Sequence, residues 1–99
     1  MNVDSQKSLI SIIKQLSDLD KLSVVDGISS HFLEFELLDS EKELRINGNT
    51  EGLIYLAKDI LNLAVKQNEG SYFHFDSTGV VDKCDMPVVI CFKRAEWNF

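Results

Sequence analysis

No stretch of this chain approaches the roughly 20 consecutive apolar residues that a membrane-spanning helix needs. The longest apolar run is Pro87 to Phe92. Near the amino end only Leu9 and Ile10 stand together, between Lys7 and Ser11, so the apolar core of a secretory leader is missing. A cytoplasmic location is therefore expected. Cysteine is scarce as well: Cys84 and Cys91 match no zinc-binding or CxxC spacing, and in a reducing cytosol both are expected as free thiols. Positive charge is in short supply, with 10 basic against 16 acidic residues and a net charge of -6. A nucleic-acid binder presents a basic face to phosphates, so DNA, RNA and anionic membranes are excluded as expected ligands. A basic protein is the complementary partner, since opposite fields speed association.

The 99 residues suit a single domain, residues 1–99, which at this size buries about two thirds of its surface without metal or disulfide staples. From about 5 to 19 the apolar residues Leu9, Ile12, Ile13, Leu16 and Leu19 recur at spacings of three and four, which predicts a helix, with Asp4 or Ser5 as its cap. Residues 20–30 read as a connector with a short extended piece. The αβ core is expected over about 31–94. Leu33, Phe35 and Leu37 alternate with Glu34 and Glu36, and Glu43 to Ile46 alternates again after a turn at Asp39 and Ser40, which predicts an antiparallel hairpin ended by Gly48.

Asn49 or Thr50 caps a helix over 50–66 whose apolar stripe is Leu53, Leu56, Ala57, Ile60, Leu63 and Ala64. Gly70 is placed to close its end in the left-handed conformation. Tyr72 to Asp76 alternates again, whereas Val88 to Phe92 is apolar on both faces and predicts a central strand. The expected fold is an α+β two-layer sandwich in αββαββ order, with one four-stranded, mostly antiparallel sheet packed by helices. Its open face would carry Glu34, Glu36, Glu43, Arg45, Tyr72, His74 and Asp76, the candidate partner-binding residues.

No catalytic set accompanies this fold. His74 and Asp76, two apart on a strand, point the same way, as a metal pair or general-base dyad requires. A third ligand would have to come from Asp82 or Asp85, and no Ser or Cys nucleophile is tied to His74 by a motif. Cys84 stands between Asp82 and Asp85, which oppose a thiolate. Gly48-Asn49 before a helix lacks any phosphate-loop pattern, and Glu51 would repel a phosphate. A structural or partner-contact role fits these residues better. No metal, no cofactor and no enzymatic activity are expected. Trp97 and Phe99 are expected to close the core rather than anchor a partner.

The block Ile46-Asn47-Gly48-Asn49 with Gly52-Leu53, Leu56-Ala57 and Leu63-Ala64, followed by Phe73-His74-Phe75-Asp76 and Val88-Val89-Ile90, resembles the small immunity-protein families of bacterial polymorphic toxin systems. The resemblance spans about half the chain. It implies a cytosolic immunity protein that binds and neutralises a cognate secreted toxin, for example a nuclease with a basic cleft, without catalysis. Two alternatives of other classes stand beside it. One is a small adaptor or structural protein that homodimerises through an exposed strand edge. The other is a small hydrolase or metal-dependent enzyme built on His74 and Asp76.

Overall fold

The computed structural model describes residues 2–22, 24–25, 28–76 and 81–94, and the positions of Trp97 and Phe99 lie outside them. Helix α1 (Val3–Leu22) begins two residues earlier than the apolar spacing suggests, because Asn2, and not Asp4 or Ser5, caps it by accepting a hydrogen bond from the Ser5 backbone amide at 2.8 Å. Two short strands, β1 (Val24–Val25) and β2 (Ile28–Ser29), pair antiparallel within the connector. Strand β3 (Leu33–Leu38) and strand β4 (Glu43–Gly48) form the expected hairpin, with Phe35 opposite Ile46 and Glu36 opposite Arg45. A single 3-10 turn (Asp39–Glu41) joins them and ends at Lys42, whose φ of 51° reverses the chain.

Helix α2 (Thr50–Lys66) has the expected bounds. Its left-handed end is Gln67, at φ 53°, and not Gly70, because the Gln67 amide already reaches the Leu63 carbonyl at 3.4 Å. Gly70, at φ 82°, turns the chain three residues later into β5 (Tyr72–Phe75). Two further strands follow, β6 (Lys83–Cys84) and β7 (Val88–Cys91).

The fold is α+β, but not with one four-stranded sheet and not in simple αββαββ order. One sheet has the order β4-β3-β6, and β5 pairs with β7 in a separate two-stranded sheet. The physical cause lies in two aspartates. The Leu33 and Leu37 amides donate to the Asp82 and Asp85 carboxylates, each at 2.9 Å, while the Asp82 and Asp85 amides donate to the Leu33 and Phe35 carbonyls at 2.8 and 3.0 Å. The segment around β6 thus occupies the side of β3 that β5 or β7 would need, with carboxylates standing in for ladder carbonyls. Consequently β7 is not a central strand: Val89 is half exposed and Cys91 faces solvent.

The core lies on the inner face of the first sheet. Leu33 and Phe35 are fully buried there with Leu56 of α2, Phe75 of β5 and Val81. The Phe35 and Phe75 rings meet edge-on at 5.9 Å. Helix α1 packs on α2 rather than on the sheet, and none of its residues from Val3 to Lys21 is fully buried. Its Ile12 and Leu19 lie exposed beside the partly buried row Leu9, Ile13 and Leu16. Along α2 the inward residues are Gly52, Leu56, Asp59 and Leu63, so that Leu53 and Ile60, expected inside, stand 45% and 41% exposed.

The junction between β3 and α2 is unusually close. Asn49 caps α2 by accepting from the Gly52 amide at 2.8 Å, accepts from the Phe32 amide at 2.9 Å, and donates through Nδ2 to the Ser30 carbonyl at 2.7 Å. A Cβ on Gly52 would sit 1.9 Å from the Phe32 carbonyl oxygen. Gly52→Ala therefore forces two backbone segments apart and should cost about 3 kcal/mol, the upper part of the overpacking range. Asn49→Asp keeps the cap but loses the bond to Ser30, and should cost less than Asn49→Ala, for which about 2 kcal/mol is expected. Leu56→Ala should cost about 2–5 kcal/mol as a buried truncation, and Ile60→Ala distinctly less. Urea denaturation of the five variants checks this order, and equal midpoints for Gly52→Ala and Ile60→Ala would contradict it.

Candidate functional site

The candidate partner-binding residues fall on two surfaces rather than one. Glu34 and Glu36 of β3 and Glu43 and Arg45 of β4 share the outer face of the first sheet, because residues paired across antiparallel strands project to the same side. Helix α2 packs on the inner side through Leu56, and α1 packs on α2. Arg45 is engaged locally: its Nε lies 2.6 Å from Glu43 Oε2 and its Nη2 lies 3.3 Å from Glu41 Oε2. Glu34 accepts from the Asn47 amide group at 2.9 Å across the hairpin. Lys83 of β6 lies opposite Glu34 in the parallel register. With Glu36, Asp39 and Glu41 nearby, carboxylates outnumber cations here.

Tyr72 and His74 belong instead to the outer face of the β5-β7 sheet, opposite Cys91 and Val89. Asp76 follows β5, its Oδ2 3.7 Å from His74 Nδ1, which is an ion-pair distance but too long for a hydrogen bond. The two further ligands a metal site would borrow, Asp82 and Asp85, are bound to β3 amides. Among the described residues, no group of three or more His, Cys, Asp or Glu side chains is placed to hold a metal ion. Cys84 and Cys91 are free, and Cys84 Sγ donates to the Met86 carbonyl at 2.7 Å.

A third cluster escapes sequence reasoning. Asp20 near the end of α1 sits between His31, whose Nε2 donates to Oδ1 at 2.6 Å, and Lys58 of α2, whose Nζ donates to Oδ2 at 2.9 Å. Lys58 also lies 4.4 Å over the Tyr55 ring, and His31 meets that ring edge-on at 5.2 Å. Burial pushes the Asp20 carboxyl upward, yet the hydrogen bonds and charges of Lys58 and His31 outweigh it and hold the group below its ordinary value. One turn from Tyr55, burial raises Asp59 instead, with Lys58 opposing and Asp20 adding to the rise.

Beside the cluster His31, Leu33, Gly52 and Tyr55 line a shallow surface depression that encloses no room even for a water molecule, whereas small-molecule sites span roughly 300–1,000 Å³. No nucleophile lines it, so the cluster reads as a strut between α1, α2 and the entry to β3. No spacing rule links residues 20, 31 and 58, since they meet only through the packing of two helices.

Comparison with known proteins adds no family. No family model, no curated protein and no solved structure matches the chain. Among the described residues, no helix is long and apolar enough to cross a membrane.

Asp20 and Asp59 should give stability opposite pH dependences. The lowered carboxyl of Asp20 contributes stability that is present above its unfolded pKa and lost as pH falls through the folded one. The raised carboxyl of Asp59 contributes in the reverse sense: its stabilisation holds below the unfolded value and fades as pH rises through the folded one. Asp20→Asn should therefore lower stability at neutral pH by about 1–3 kcal/mol and flatten the acid limb of the profile. Asp59→Asn should be neutral or stabilising at pH 7. Urea midpoints between pH 3 and pH 8 measure both, and a destabilised Asp59→Asn with an unchanged Asp20→Asn would reverse the assignment.

Proposed function

We propose that this chain is a cytoplasmic, non-catalytic binding protein, an immunity protein that neutralises a basic toxin domain of a polymorphic toxin system. The observation that carries the reading is the acidic outer face of the first sheet, where Glu34, Glu36 and Glu43 project from a paired hairpin with α2 behind it. A sheet face of this kind presents carboxylates at fixed spacing, and a cleft shaped for phosphates offers them cations. The resemblance of residues 46–90 to immunity proteins points the same way. The absence of a convergent nucleophile, base and orienting group among the described residues leaves the hydrolase alternative without a supporting observation. The acidic charge likewise argues for a protein partner over nucleic acid or an anionic membrane.

Capture of native partners from the source cell, followed by binding kinetics with the captured domain, tests this reading. The double variant Glu34→Lys with Glu36→Lys should slow association by about tenfold or more at low salt, with the difference shrinking as salt screens the charges. Fold stability should fall by about 1 kcal/mol, because Glu34→Lys removes the part-buried hydrogen bond from Asn47, and circular dichroism should confirm that the double variant stays folded. Association rates that ignore both the salt and the reversals would move the docking site elsewhere, with the surface of Tyr72 and His74 as the next choice. Capture of no basic protein at all would remove the immunity reading.

A further inference from the structure

The first sheet has two unlike edges. On the β6 side, the amides of Leu33 and Leu37 and the carbonyls of Leu33 and Phe35 are satisfied by Asp82 and Asp85. Those bonds fix which way the backbone of β3 points. Since Leu33, Phe35 and Leu37 face β6, the intervening residues Glu34, Glu36 and Leu38 face β4. Their cross-strand partners Asn47, Arg45 and Glu43 must then direct their own N–H and C=O groups inward to β3. The backbone groups of Leu44 and Ile46 consequently point outward from β4, where no strand follows among the described residues.

Natural edge strands are guarded by charge, proline or cover. Here the side chains on the inner side of the edge are apolar. Leu44 and Ile46 are 41% and 42% exposed, and Leu53 and Ile60 are exposed apolar residues of α2. Leu53 reaches the end of β4, within 3.0 Å of where a Gly48 Cβ would stand, and Ile60 lies two helical turns along the same side.

The whole molecule has surface in excess. A folded monomer of 11.2 kDa exposes about 5,700 Å² by the scaling of single chains, whereas this one exposes 7190 Å² in a slab 19 Å thick. That excess is spread over the whole chain, residues outside the described ones included, and the open edge of β4 is one part of it.

We infer that β4 pairs antiparallel with β4 of a second copy, joining two three-stranded sheets into one six-stranded sheet. The strand is self-complementary in that arrangement. A two-fold axis perpendicular to the sheet keeps each face on its own side. Leu44 and Ile46 of one copy therefore meet Leu44 and Ile46 of the other, backed by Leu53 and Ile60. On the outer face Arg45 comes opposite its own counterpart, each arginine balanced by the Glu43 of its own chain at 2.6 Å. The outward N–H and C=O groups of Leu44 and Ile46 supply the new ladder. This inference does not depend on the proposed function, although a dimer would place two acidic faces on one continuous sheet.

Sedimentation equilibrium of the full chain, from micromolar to near-millimolar concentration, should return twice the 11.2 kDa chain mass. Ile46→Lys and Leu53→Lys should each return the monomer mass while circular dichroism and melting stay close to those of the parent. Val89→Lys, on the outer face of the other sheet, should remain dimeric. Amide hydrogen exchange of the unaltered protein gives a second readout: the Leu44 and Ile46 amides should become protected as concentration rises, while the Arg45 amide stays protected throughout. A parent chain that is monomeric at every concentration overturns the inference. So does a dimer that survives both Ile46→Lys and Leu53→Lys, or fast exchange at Leu44 and Ile46 under dimeric conditions, including the case in which only a foreign basic chain occupies the edge.

Discussion

The contact between the first turn of α2 and the Phe32 carbonyl sets the spacing of the core. Gly52 is the one residue type that lets the helix start so near the strand, and Asn49 holds both sides of the gap with three hydrogen bonds from one side chain. Because α2 begins at that fixed point, Leu56 and Leu63 follow inward at helical spacing, and Leu56 closes over Leu33 and Phe35. The same rotation turns Leu53 and Ile60 outward. The close junction and the exposed apolar strip are two results of one rotational setting of the helix.

A second constraint comes from the lateral struts. From Val3 to Lys21 helix α1 contributes no fully buried residue, so apolar burial there holds it weakly against α2. Asp20, bound by both Lys58 and His31, adds a polar connection whose partners come from α2 and from the chain entering β3. Desolvation opposes the Asp20 charge, and the donors Lys58 and His31 together outweigh it. Lys58 therefore cannot be read as a simple solvent-facing helix residue, despite its place between apolar positions.

Sequence periodicity makes the parts with strong local signals legible. Helix 50–66 has a cap, a stripe and a basic last turn, and the hairpin has strict alternation on both sides of a short turn, so both are found with nearly the expected bounds. Sheet assignment is not legible, because whether four strands form one sheet or two depends on what lies beside β3, and that place is taken by two strand residues flanked by aspartates. An Asp-Lys-Cys-Asp run gives no strand signal of its own. Of the candidate site, Glu34, Glu36, Glu43 and Arg45 share a face as the hairpin pattern requires, whereas Tyr72, His74 and Asp76 depart with the second sheet. The Asp20 cluster joins residues 38 positions apart, a separation at which no local pattern operates.

The alternation of β4 has a consequence for how the surfaces divide. Glu43 and Arg45 point to one face and Leu44 and Ile46 to the other, so charge and apolar exposure on the same six residues never mix. Long-range electrostatic attraction acts through the outer face and is weakened by salt, while burial of the inner strip is short-ranged and insensitive to it. A net charge of -6 therefore does not oppose contact at the strip as strongly as its magnitude suggests, because the carboxylates of this hairpin lie behind the sheet from the apolar seam. One strand can serve two surfaces because a period of two keeps them separate.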